Sequence, residues 1–127
     1  HTHSFKAQHS SWLVVGLIII IQKEIDMIIF TRTIGVHMNK LNEAMEIAKE
    51  QAAIQKEHSG VEVYVSFQMG GNPRTIRWMT IGEMDKLMEA EAKSSADPRM
   101  IASLKKMEDV FVDGTMQDEM RYVINQE

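Results

Sequence analysis

The chain has 127 residues, 44% of them apolar and 25% charged, which suits one globular domain and is too little for two. Its formal charge is -4, and Lys and Arg are scattered among acids, which argues against a nucleic-acid partner. It has no Cys, so disulfides, thiolate metal sites and cysteine nucleophiles are excluded.

His1, Thr2 and His3 read as a tag remnant and are set apart from the fold. A terminal His-x-His pair needs further ligands to hold a metal. Residues 12–21, WLVVGLIIII, are half of the roughly 20 needed for a bilayer-spanning helix. The charged sequence after them, Gln22-Lys23-Glu24, is a poor signal-peptide cleavage site. Their β-branched content favours a strand, expected to extend a sheet edge or cover a neighbouring subunit. A second reading takes residues 1–26 as translated leader. Lys-Glu-Ile-Asp-Met can be encoded as AAG GAG AUA GAC AUG, a bacterial ribosome-binding sequence before a start codon, which would make Met27 the natural start of an environmental or mobile gene. The domain proper is then residues 27–127. With no membrane span or complete targeting signal, the expected location is the cytoplasm, without a membrane partner.

From Met27 the pattern is regular. Residues 27–37, MIIFTRTIGVH, predict a strand with Ile28, Phe30, Arg32, Ile34 and Val36 on one face. Residues 39–60 predict a helix, with Asn39 as N-cap, a buried stripe of Leu41, Met45, Ala48 and Ala52, and Gly60 at the left-handed C-terminal position. In VEVYVSFQM, residues 61–69, Val61, Val63, Val65, Phe67 and Met69 alternate with Glu62, Tyr64, Ser66 and Gln68. A loop at residues 70–73, GGNP, turns into an antiparallel strand over residues 74–81. A four-residue loop sets Phe67 opposite Ile76 and Val65 opposite Trp78, apolar against apolar.

Residues 82–95 predict a helix with Met84, Leu87, Met88 and Glu91 near one face. Asp97 as N-cap and Pro98 in the first turn start another, with Met100, Ile101, Leu104, Met107 and Phe111 as its apolar stripe. Asp113-Gly114 is a turn, and residues 119–125, EMRYVIN, are the last strand. The order is β-α-β-β-α(α)-β, a ferredoxin-like α+β domain with helices on one face of a four-stranded antiparallel sheet. The other face carries Tyr64, Ser66, Gln68, Thr75, Arg77 and Met79. Two such faces stacked on a two-fold axis bury each other, so the expected partner is a second copy of the chain.

With IRWMTIGEMDKL, residues 76–87, a Trp near the end of the third strand precedes an acidic helix start at Glu83 and Asp85. This pattern and the element order resemble the dimeric α+β barrel superfamily over about residues 27–125, with its antibiotic-biosynthesis-monooxygenase-like and NIPSNAP-like domains. The resemblance implies a homodimer whose sheets build a joint barrel, with ligands between sheet and helices. Haem-degrading relatives combine a first-strand Asn, this strand Trp and a His on the next helix. Trp78 matches, but residues 27–37 hold no Asn and residues 83–95 no His, which speaks against haem degradation. If the chain is an enzyme, the resemblance implies a cofactorless monooxygenase.

Four residues stand out as ligand-binding candidates. Arg32 interrupts an apolar strand face. It grips a carboxylate or phosphate in fork geometry, pairs with a helix acid such as Glu43, Glu46 or Glu50, or reaches solvent at the sheet edge. Trp78, on the same face, is either a pocket wall for a flat ligand or core. Tyr64 faces the joint barrel, and His37 is either a general base or a local hydrogen-bonding group at a strand end. His58 suits a helix C-terminus. No metal constellation, P-loop, dinucleotide fingerprint or hydrolase motif is present in the sequence, and no cofactor is expected. Two functions remain open: binding a small apolar or anionic molecule, or a non-catalytic dimeric assembly module.

Overall fold

The computed structural model describes residues 26–71 and 74–125. The expectations for residues 1–25, as added strand or leader, and for the loop residues 72 and 73 lie outside the described residues.

Four strands, β1 (Met27–Gly35), β2 (Val63–Phe67), β3 (Thr75–Glu83) and β4 (Gln117–Tyr122), form one sheet in the order β2-β3-β1-β4. Every neighbouring pair is antiparallel. Three helices, α1 (Leu41–Ser59), α2 (Met84–Ala96) and α3 (Pro98–Lys106), lie between them in sequence. This is the ferredoxin-like α+β arrangement expected from the element order.

The β2–β3 register is the expected one: Phe67 faces Ile76 and Val65 faces Trp78. Because side chains alternate along a strand, this pairing turns Val63, Val65, Ile76 and Trp78 toward the helices. Ile76 is fully buried there. With Ile34, Val36, Ala44, Ile47, Ala48, Ala52, Val110 and Phe111 it forms the core. Small Ala side chains on α1 let that helix sit close to the sheet.

Helix boundaries follow local chemistry. Gly60 takes φ 72°, and its N–H donates to the Lys56 carbonyl, closing α1 as the sequence predicts. The other end differs: Lys40 is the N-cap of α1, and Asn39 sits just outside with φ 72°. Asn tolerates that left-handed turn because its short polar side chain bonds locally. Asp97 caps α3 by accepting from the Arg99 N–H at 2.9 Å, with Pro98 in the first turn.

The apolar stripe expected on the third helix is corrected in part. Ile101 and Leu104 are about half exposed, while Ser103 is fully buried. Ser103 Oγ accepts from Gln51 Nε2 at 3.1 Å, so a polar pair rather than an apolar one joins α3 to α1. The apolar contribution of this segment comes after the helix, where Phe111 pairs with Val36 and packs on Trp78.

Candidate functional site

Among the described residues, the helices leave part of their own side of the sheet uncovered. Side chains of β1 and β4 that face this side include Phe30, Arg32, Asp118, Met120 and Tyr122, by direct cross-strand pairing. All of β4 is solvent-exposed. Met120 is 49% and Tyr122 60% exposed. The Tyr122 hydroxyl donates to the Met84 sulfur at 3.6 Å, so the first residue of α2 borders the strip at one end.

Arg32 lies in the middle of this strip. Its Nε and Nη2 donate to the two carboxylate oxygens of Asp118 at 2.7 and 2.8 Å, a bidentate fork. The guanidinium also stands 5.7 Å from the Phe30 ring centroid, in cation–π range. The Asp118 bonds push the Arg32 pKa up, and the Glu91 carboxylate on α2 adds a smaller attraction through space. In return, Arg32 holds the Asp118 carboxyl below its ordinary range. Arg32 and Asp118 retain 37% and 42% of their side-chain exposure, so the pair borders solvent. The partner of Arg32 is therefore a strand acid. Glu43, Glu46 and Glu50 on α1 pair instead with Lys40, Lys49 and Lys106.

Trp78 is the direct cross-strand neighbour of Arg32, yet its surroundings differ. It is 8% exposed. Its indole N–H donates to the Ala48 carbonyl at 3.2 Å, and its ring lies 6.1 Å from that of Phe111. Tyr64 is on the opposite face, which no helix covers among the described residues, and it pairs with Met79. His37 is exposed beyond the end of β1, where its backbone N–H donates to the Val110 carbonyl. The structure thus brings Arg32 and Trp78 together and leaves Tyr64 and His37 apart from them.

Sequence reasoning missed Asp118, Met120 and Tyr122 as neighbours of Arg32. An acid opposite an arginine on a paired strand is the available signal. It is usable only once the β1–β4 register is known.

A groove of about 690 Å³ lies elsewhere, lined by Asn42, Glu43, Glu46, Ile47 and Glu50 of α1 and by Lys106 and Val110. It contains none of the four candidates. Among the described residues no group of His, Asp and Glu is placed to hold a metal ion. Among them, too, no helix is long and apolar enough to cross a membrane.

No family model matches the chain, and no curated protein does. Solved structures do. A NIPSNAP family protein of unknown function from Agrobacterium tumefaciens aligns with a TM-score of 0.65 at 22% identity, over 78% of this chain and 89% of that one. An uncharacterised NIPSNAP-like domain protein from Burkholderia xenovorans aligns with a TM-score of 0.68 at 15% identity, over 81% and 90%. SnoaB, a cofactor-independent oxygenase from Streptomyces nogalater, aligns with a TM-score of 0.59 at 13% identity, over 80% and 96%. At these identities the likeness concerns the fold. The chain has the ferredoxin-like α+β fold of these NIPSNAP-like and cofactor-independent oxygenase structures, as its element order implies.

Proposed function

We propose that this chain works as a homodimer that binds a small molecule along the bare strip beside Arg32. One observation carries the reading: a bidentate, half-exposed Arg32–Asp118 pair stands among Phe30, Met120 and Tyr122, on the sheet side that the helices otherwise cover. Apolar walls around a few fixed polar groups are the usual make-up of a small-molecule site. Dimerisation is supported by the opposite face. Among the described residues no helix lies over it, and it presents Tyr64, Met79, Ile29 and Ile81 in cross-strand pairs. The enzymatic form of the reading is a cofactor-free oxygenation, and its support is the fold shared with the Streptomyces oxygenase.

A second reading, a dimeric assembly module without a ligand, is favoured by two other observations. Trp78 closes the core instead of walling a cavity, and Asp118 already meets the charge of Arg32. Native mass spectrometry of the full chain separates the readings. A dimer carrying a small molecule, lost when Tyr122→Ala is introduced, supports the binding site. A dimer without a ligand, and without affinity for aromatic probes, leaves the assembly role. A monomer overturns both.

A further inference from the structure

We propose that Asp118 sets the charge selectivity of the strip, so that it admits uncharged molecules able to accept a hydrogen bond and rejects carboxylates and phosphates. This rests on the binding site proposed above and names the class of molecule it takes.

An arginine on an apolar face is ordinarily a receptor for an anion, because its fork matches a carboxylate. Here Asp118 already occupies that fork, through Nε and Nη2. A guanidinium has five N–H donors, and among the described residues three of them are not engaged, which suits a neutral acceptor such as a carbonyl, ether or phenol oxygen. Glu91 stands on the α2 side with a second negative charge that Arg32 senses. The charge of Arg32 is already met by the Asp118 carboxylate, and an incoming anion would have to displace it from a bidentate contact to reach the fork. An uncharged acceptor need not. The neighbouring Phe30, Met120 and Tyr122 supply surface for a flat apolar body, and Met side chains adapt to its outline.

The test compares two probes of one shape, 2-naphthol and 2-naphthoate, titrated by calorimetry into the full chain at pH 7. In the unaltered protein 2-naphthol is expected to bind about tenfold tighter than 2-naphthoate, the size of one moderate like-charge contact. In Asp118→Asn 2-naphthoate gains about tenfold or more while 2-naphthol changes little, so the preference vanishes or reverses. Glu91→Gln, an exposed change that leaves the Arg32–Asp118 pair intact, narrows the preference and serves if Asp118→Asn folds poorly. Tyr122→Ala locates the binding and is expected to weaken both probes. Naphthoate binding as tightly as naphthol, and weakened by Tyr122→Ala, overturns the selectivity while the site stands. Neither probe binding, or binding that ignores Tyr122→Ala, overturns the site and the selectivity with it.

Discussion

The indole N–H of Trp78 reaches across from the sheet to the Ala48 carbonyl of α1 at 3.2 Å, in the buried core. One residue thus supplies ring volume against Phe111 and a polar tie to the helix. A buried Tyr or Trp needs such a partner for its polar atom. Trp78→Ala is expected to cost about 3–5 kcal/mol, as large-to-small core changes do. Trp78→Phe keeps most of the volume and is expected to cost about 1–2 kcal/mol, from the lost hydrogen bond and a smaller void. Urea unfolding at equilibrium measures both. Equal costs for the two variants would show that the ring volume contributes nothing.

Acid should loosen the junction between α1 and α3. Asp97 accepts from Arg99 and from His58 Nε2, and Arg99 also forks onto Glu57. The Arg99 bonds foremost, with His58 second, hold the Asp97 carboxyl well below its ordinary 3.8, and Arg99 likewise lowers Glu57. A carboxyl depressed in the folded state contributes stability above its unfolded pKa, and that contribution is lost as pH falls toward the folded value. Asp97→Asn retains a capping side chain but removes the charge. The variant is expected to melt below the parent at pH 7, with the gap closing as pH drops below 3.8. Thermal melts at a series of pH values read this out, and a gap that persists unchanged into strong acid would assign the loss to the cap instead.

The parts of this fold that were legible in the sequence are those fixed by local pattern and short-range register. Alternation in residues 61–69 and the loop length placed Val65 against Trp78 and Phe67 against Ile76, as found. Asp97, Pro98 and Gly60 mark helix ends because their backbone chemistry acts within one turn. The partner of Arg32 was not legible. Asp118 is 86 residues away, just before the stretch whose periodicity announced the last strand. Helix acids were the nearer alternatives. Ile101 and Leu104 misled for a related reason. Apolar spacing on α3 suggests a buried face, but the contact with α1 is made by Ser103 and Gln51, whose complementarity exists only after packing.

Gly60 offers a clean separation of backbone from packing effects. Its φ is 72°, and a Cβ placed on it would meet nothing within 4 Å. Gly60→Ala therefore crowds no neighbour. The left-handed conformation alone penalises it, by about 1 kcal/mol. Gly60→Asn, a residue that tolerates this region, is expected to recover part of that loss. Chemical denaturation of the two variants supplies the check. A wild-type-like Gly60→Ala would mean that α1 ends elsewhere in solution.

On the sheet face opposite α1, Ile81 of β3 lies directly opposite Ile29 of β1, and Met79 opposite Thr31. Ile81 is 41% exposed in the single chain, so a charge there meets water and costs the monomer little. If two copies stack these faces, the same charge is buried against its symmetry mate. Each unpaired buried charge is then costly, and the two-fold axis doubles the penalty. Ile81→Glu is accordingly expected to shift the protein from dimer to monomer in sedimentation velocity, with a change in monomer unfolding free energy below about 0.5 kcal/mol, as for an ordinary surface substitution. Arg77→Ala, on the same face and bonded to Thr33 through its Nε, serves as a milder companion. Retention of the full dimer in Ile81→Glu would move the interface off this face, whereas a monomer with intact stability places it there.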